Sequence, residues 1–263
     1  MAAKFRIDRE GPVARLVLSN PDKHNCFDDS LIADLTAALD ALGADADVRV
    51  VVLSAEGRSF SAGADLNWMQ RMAGNTDAEN VSDARALTRL MRTLDALPKP
   101  TIALVQGPAF GGGVGLVSCC DIAIASAAAL FSLSEVRLGI IPAAIAPYVI
   151  SAIGARAARR YFLSAERFDA AEALRLGLVH KVVAPEALAA EGAEMAATLL
   201  RNGPQAIREA KDLIARIAGP VDEALMEETA QRIARVRATP EGREGVAAFL
   251  EKREPGWIVD ETE

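Results

Sequence analysis

At 263 residues, 51% hydrophobic and 25% charged, the chain has a globular composition and enough length for one large core, with or without an appended unit. A formal net charge of −7 weighs against nucleic acid as a partner, though a small anionic ligand in a local basic patch remains compatible with it. Three cysteines, Cys26, Cys119 and Cys120, and two histidines, His24 and His180, supply neither a disulfide framework nor a metal-ligand spacing. The N-terminal MAAKFRIDREG lacks the apolar segment of a signal peptide, and no apolar run is long enough to span a bilayer. A reducing cytoplasm is the expected setting.

In chain order, Phe5 to Ile7 and Val13 to Leu18 read as strands joined by a turn at Glu10-Gly11-Pro12. Asn20-Pro21-Asp22-Lys23 breaks the second. Asp28 or Asp29 caps a helix with Leu31, Ile32, Leu35, Leu39 and Leu42 on one face, ended by Gly43. The β-branched run at 49–54 (RVVVLS) predicts a strand buried on both faces. Gly57 and Gly63 flank a strand-like SFSA, and a helix begins near Asp65 with Leu66, Met69 and Met72 on one face. Residues 77–97 predict a helix with Ala84, Leu87, Leu90, Met91 and Leu94 inward, stopped by Pro98-Lys99-Pro100.

Thr101 to Gln106 is the strand that feeds the most informative stretch, QGPAFGGGVGLVSCCDIAIAS at 106–126. A strand ends at Gly107, a glycine-rich turn follows, then a short apolar helix and a second strand. Gly111, Gly112 and Gly113 sit at the helix entry. There the first N–H groups lack internal partners and can bind an oxygen carrying negative charge. The same glycines would also serve plain helix–strand packing. Gly113-Val114-Gly115 begins a dinucleotide-type pattern but ends in Ser118, and no Gly-Lys-Ser/Thr follows. Cys119 and Cys120 read as buried reduced thiols.

Short strands are expected at 122–125 and 130–133. From Ala146 onward helices dominate. Asp169 caps a helix closed by Gly177, Leu178 to Val183 forms a last strand, and helices cover 185–202, 204–218, 221–238 and 240–252, the last with Thr239 as N-cap and Pro240 first. The alternation of strands and helices predicts an α/β fold with a largely parallel sheet, residues 1–190 forming the core and 191–263 a helical C-terminal region.

Two glycine turns, at Ala62-Gly63-Ala64-Asp65 and Gly111-Gly112-Gly113, follow two successive buried strands. In a parallel sheet both lie at one edge, where each can offer a backbone N–H to a single oxygen, the arrangement of an oxyanion hole. The alternative at 62–65 is a plain turn with Asp65 as cap. Downstream, Glu135 is a lone carboxylate in SLSEVRLGIIP at 132–142. Apolar surroundings would raise its pKa toward neutral and suit it to proton transfer; an ion pair with Arg137 or a solvated turn is the alternative.

Three motifs together, RSFSAGADL at 58–66, QGPAFGGGVGL at 106–116 and FSLSEVRLGIIP at 131–142, resemble the enoyl-CoA hydratase/isomerase (crotonase) superfamily over nearly the whole chain. The finer texture of SAGADLNWM at 61–69, GLVSCCDIAIA at 115–125 and RAARRYFLSAERFDAAEA at 156–173 looks like the bacterial methylglutaconyl-CoA and isohexenylglutaconyl-CoA hydratase branch, part of leucine and acyclic-terpene breakdown. The resemblance implies a ββα spiral core, a C-terminal helical region used for trimerisation, and assembly as a trimer or a hexamer of two trimers. It implies an acyl-CoA thioester substrate, with coenzyme A entering as part of it, and no metal or redox cofactor.

By the same resemblance the oxyanion N–H groups map onto Ala64 and Gly112, and the acid/base onto Glu135. The adenine-contacting loop maps onto Ser61 and Ala62 and the phosphate-end contacts onto Lys23 and His24, with Asp65 and Leu66 as further coenzyme A-binding residues. Phe249 and Lys252 of the last helix would close over a neighbour's coenzyme A. One departure stands out: the family's first glutamate maps onto Gly115. The resemblance implies hydration of a branched or carboxylated enoyl-CoA; the departure raises double-bond isomerisation by Glu135 alone as an alternative, and a non-catalytic acyl-CoA- or RNA-binding relative is one of another class. Asn67, Trp68 and Met69 are candidates for shaping the acyl pocket. Arg85 or Arg89 is a candidate for meeting a distal substrate carboxylate, though surface ion pairs would explain these two equally well.

Overall fold

The computed structural model describes residues 3–217 and 223–258. A six-stranded sheet, in the order β1-β2-β3-β4-β6-β9, organises the chain. β1 (Phe5–Glu10) and β2 (Val13–Leu18) form an antiparallel hairpin, with Gly11 in the turn at φ +53°. Every other pairing in this sheet is parallel: β2 with β3 (Val50–Ala55), β3 with β4 (Thr101–Val105), β4 with β6 (Ile122–Ser126), and β6 with β9 (Lys181–Val183). A second, three-stranded sheet joins β5 (Ala109–Phe110), β7 (Leu130–Ser132) and β8 (Phe168–Asp169) in the order β5-β7-β8. The mixed α/β class is as the strand and helix pattern predicts.

Alternation along the central strands sends side chains to two cores. Val51, Leu53, Ala103 and Val105 face a large cluster shared with α1 (Asp29–Ala44), α3 (Asp77–Asp95), α4 (Gly112–Cys119) and α5 (Ala146–Ser164). Val50, Val52, Ile102 and Leu104 face a smaller one closed by α7 (Leu188–Leu200) through Leu188 and Ala196. The β-branched run is thus buried on both faces because helices cover both sides of a parallel sheet. Gly192 lets α7 lie close: a Cβ there would stand 2.6 Å from Leu104 Cδ1. Since α7 spans the predicted boundary at 190 and packs on the sheet, the helices that stand apart from the core are α8 (Pro204–Arg216), α9 (Glu223–Ala238) and α10 (Pro240–Glu251). The predicted start of α9 at Val221 and end of α8 at Ala218 fall outside the described residues.

Local signals place most helix ends. Asp28 accepts from Leu31 N–H, Thr76 and Glu79 form a capping box, Asp169 caps α6 (Ala170–Leu176), and Thr239 caps α10. Four expectations need correction. Gly43 lies inside α1, which runs to Ala44; its missing side chain makes room for Leu97 and Pro98. The SFSA stretch is no strand but an extended turn with a single bridge from Ser61 to Ala109. In α2 (Leu66–Met72), Leu66 is 80% exposed and Trp68 is the buried residue, because Asp65 caps the helix in a rotation that turns Trp68 toward the core. In α3, Ala84 is exposed, Leu87 is half-buried against the core and Leu90, Met91 and Leu94 are buried, as only the C-terminal half of the helix reaches the core.

Candidate active site

β3 and β4 run parallel, so the turns that leave them emerge at one edge of the sheet. Hydrogen bonds clamp these turns together: Phe60 N–H donates to Pro108 O (2.9 Å) and Phe110 N–H to Ser61 O (2.8 Å). The approach is as close as backbones permit. A Cβ on Gly107 would stand 2.1 Å from Arg58 O, and one on Gly113 2.8 Å from Ser61 O. Glycine is required at both places because the partner is rigid main chain.

At this junction the N–H groups of Ala64 and Gly112 have no acceptor among the described residues. Ala64 is flanked by engaged groups, since Phe27 N–H donates to Gly63 O (2.7 Å) and Asp65 N–H donates to Phe27 O (2.7 Å), while its own N–H is left over. Gly112 opens α4, and its N–H precedes the first intrahelical bond. Gly111, the N-cap, adopts φ +51° and ψ −117°, and its N–H donates to Ser132 O (2.9 Å), which ties the turn to β7. The Phe27 ring backs Gly112, 3.1 Å from where a Cβ would lie.

Glu135 begins the 3-10 helix Glu135–Leu138 just after β7. It lies beside the same turn, with Oε1 3.1 Å from the position of a Cβ on Gly111. No ion pair joins it to Arg137 among the described residues. Its Oε2 is buried without a hydrogen-bond partner. Burial pushes the carboxyl above the usual glutamate range, opposed only by its own backbone N–H. A carboxyl whose pKa is raised by burial, beside the clamped turns that carry the N–H groups of Ala64 and Gly112, can move a proton next to an oxygen that gains negative charge.

The residues expected at the coenzyme A end gather around one loop. Lys23 Nζ pairs with Asp65 Oδ2 (3.1 Å). Asp65 Oδ1 also caps α2 by accepting from Asn67 and Trp68 N–H. His24 stands at φ +52°, with Nδ1 3.1 Å from Ser59 Oγ and Nε2 2.8 Å from Arg58 Nη2. Ala62 N–H donates to His24 O (2.9 Å). Ser61 is fully buried and its Oγ donates to Asn25 O (2.9 Å), so its side chain is structural. Leu66 is exposed next to this loop in sequence. Phe249 (82% exposed) and Lys252 lie on and just after α10, which packs on α8 and α9; no hydrogen bond or ion pair joins them to the loop among the described residues. Arg89 is in an exposed ion pair with Asp40 (3.3 Å) and Arg85 is exposed. Trp68 belongs to the core.

Three residues of the site escape a reading by motif. Asn25, also at positive φ (+53°), is 1% exposed. Its Oδ1 accepts from Asn20 N–H (2.8 Å), and its Nδ2 donates to Glu56 O and Ser59 O (both 2.9 Å). It braces the loop that carries Lys23 and His24 against the turn that carries Ala64. An asparagine two residues after Asp22-Lys23 is a turn signal, since Asn tolerates the left-handed region. Arg58 and Phe27 carry no such signal. Cys119 and Cys120 are buried reduced thiols; burial raises both, Cys120 to about 12, which keeps them protonated and inert.

The family model for enoyl-CoA hydratase/isomerase matches residues 8–259. A putative enoyl-CoA hydratase of Thermus thermophilus is 35% identical over 246 residues, covering 94% of this chain and 97% of the relative. The 2,3-dehydroadipyl-CoA hydratase of Escherichia coli is 32% identical over 250 residues, covering 95% and 96%. Among solved structures, an enoyl-CoA hydratase from Shewanella pealeana superposes with a TM-score of 0.94 at 46% identity, covering 97% of this chain and 96% of that one. With its sequence matched almost end to end and its fold shared, the chain belongs to the enoyl-CoA hydratase/isomerase family.

Proposed function

We propose that this enzyme of the enoyl-CoA hydratase class adds water to an α,β-unsaturated acyl-CoA whose acyl chain is branched or carboxylated, with 3-methylglutaconyl-CoA as the representative. The observation that carries the reading is the pair of unpartnered N–H groups, Ala64 and Gly112, on clamped turns beside Glu135, whose Oε2 is buried and unpaired. The thioester oxygen accepts from both N–H groups, and as the double-bond electrons shift the resulting enolate is held there; each such donor is worth roughly 3 kcal/mol. Glu135 moves the proton. A relative named for 2,3-dehydroadipyl-CoA, an acyl chain ending in a second carboxylate, supports the carboxylated class.

In this reading the coenzyme A portion runs past Ala62, Asp65 and Leu66 toward Lys23 and His24. Phe249 and Lys252 act on a neighbouring copy's coenzyme A within a trimer or stacked trimers. Exposed apolar residues on α8 to α10, among them Ile214, Met226 and Leu250, support self-association. The second reading, double-bond isomerisation by Glu135 alone, is supported by glycine at 115.

The test is incubation with 3-methylglutaconyl-CoA, crotonyl-CoA and a 3-enoyl-CoA, reading product mass and double-bond position. Gain of one water on the first substrate supports the proposal. An unchanged mass with a shifted double bond replaces it with the isomerase reading. Binding without reaction on all three replaces it with the non-catalytic one.

A further inference from the structure

Gly111 and Gly115 stand one helical turn apart at the start of α4, with Gly115 N–H donating to Gly111 O (3.2 Å). They open onto different neighbours. Gly111 faces the Glu135 carboxylate, whereas a Cβ on Gly115 would lie 2.3 Å from Ile145 Cγ2 and 3.1 Å from Met91 Sδ. Ile145 is 2% exposed and Met91 is fully buried, so neither side chain has open space into which to withdraw. The position one turn beyond Gly111, the residue that Glu135 abuts, is therefore filled by an aliphatic and a thioether group.

Asp65, His24 and Asp28, near the two turns, are already committed. Asp65 holds Lys23 and the start of α2, His24 is bound to Arg58 and Ser59, and Asp28 holds Lys4, Ser30 and the start of α1. Glu135 Oε2 is the one carboxylate oxygen among the described residues that is buried without a partner.

Resting on the hydration reading above, we infer that Glu135 carries both proton transfers by itself, and that Ile145, wedged on Gly115, is the residue that keeps a second acid or base out of the site. The Glu135 carboxylate takes one proton from water as the water oxygen bonds to C3. The C2=C3 electron pair moves toward the thioester carbonyl, whose oxygen bears the charge against the Ala64 and Gly112 N–H groups. The Glu135 carboxyl then returns its proton to C2, where the enolate pair forms the C–H bond. The product has gained one H2O and Glu135 is again a carboxylate. Both new bonds form on the face of the acyl chain that Glu135 borders.

A lone base beside C2 must also exchange the α-proton of a saturated thioester. The experiment follows hydration of crotonyl-CoA, and deuterium uptake into butyryl-CoA in D2O by mass, for the wild-type chain and for Glu135→Gln. Both activities are expected to fall together by at least about 100-fold, the range of a lost general acid–base. A Glu135→Gln chain that keeps exchange within tenfold of wild type overturns the single-base inference, as does a wild-type chain that hydrates without exchanging. A wild-type chain that exchanges but hydrates no enoyl-CoA overturns the hydration reading alone. For Ile145, exchange is expected to recover in the Glu135→Gln chain when Gly115→Glu and Ile145→Ala are present together, and not with Gly115→Glu alone. No recovery in a cooperatively melting triple variant overturns the role of Ile145. Should that variant not fold, the Gly115→Ala and Ile145→Ala pair decides: the double variant is expected to melt above the sum of the two single losses, and strictly additive losses overturn the wedge.

Discussion

The side chain that Gly111 lacks would stand 3.1 Å from Glu135 Oε1. The N-cap of α4 and the proposed acid/base are thus in direct apposition, and Gly111 holds φ +51°, which L side chains rarely adopt. Gly111→Ala is expected to strain the turn and crowd the carboxylate at once. Steady-state kinetics should show kcat falling about 10- to 100-fold, with KM changing less, because a displacement of about an ångström at the reacting groups costs that much.

Gly112 tests the proposed oxyanion hole. Gly112→Pro removes the donor and is expected to lower kcat by about 100- to 1000-fold. Gly112→Ala keeps the N–H but presses on the Phe27 ring at 3.1 Å, so its loss should be smaller. Equal losses in the two variants, at matched melting temperature, would remove the N–H from the mechanism.

The pH dependence follows from the direction in which burial moves Glu135. The resting base is the carboxylate, so kcat/KM should fall as pH drops through a pKa lying above the ordinary glutamate range. The stability sign is opposite. The folded pKa is raised, so the contribution of this group is fully present below the unfolded pKa and is lost as pH rises through the folded one. Glu135→Gln is therefore expected to melt above wild type near pH ~8, with the gap closing toward pH ~4. Calorimetry at the two pH values checks this.

Asn25, itself buried, supports two loops through three side-chain hydrogen bonds. Asn25→Ala leaves Asn20 N–H and the carbonyls of Glu56 and Ser59 without those partners, and is expected to destabilise by about 2–4 kcal/mol in denaturant titration. If the loop positions coenzyme A, KM for the acyl-CoA should rise while kcat changes little. Asn25→Asp should not rescue it, since the carboxylate cannot donate to the two carbonyls.

Lys211 ties the helical arm to the sheet. Its Nζ donates to Asp121 Oδ2 (2.7 Å) and to Lys99 O (3.3 Å), while Asp121 also accepts from Thr101 N–H and Oγ1. Lys211→Met is expected to loosen α8 before the sheet unfolds. Hydrogen exchange should rise along α8 and stay unchanged in β4 and β6.

The elements legible in the chain are those that short-range chemistry controls. The capping side chains of Asp28, Thr76, Asp169 and Thr239 act within three residues, and the β-branched run entering β3 leaves a strand few alternatives. The two glycine turns and Glu135 were legible because each departs from the local pattern: glycines where a helix starts, a carboxylate in an apolar run. Which faces are buried, and what fills the space beside the site, follow from long-range packing. α2 has apolar residues on several sides, and its two turns are too short for periodicity to choose Trp68 over Leu66. The clamp between Ser61 and Ala109, the bracing by Asn25 and the wedge of Ile145 on Gly115 join residues far apart in the chain. Such contacts are settled by close packing of the whole core, which leaves no trace in local spacing.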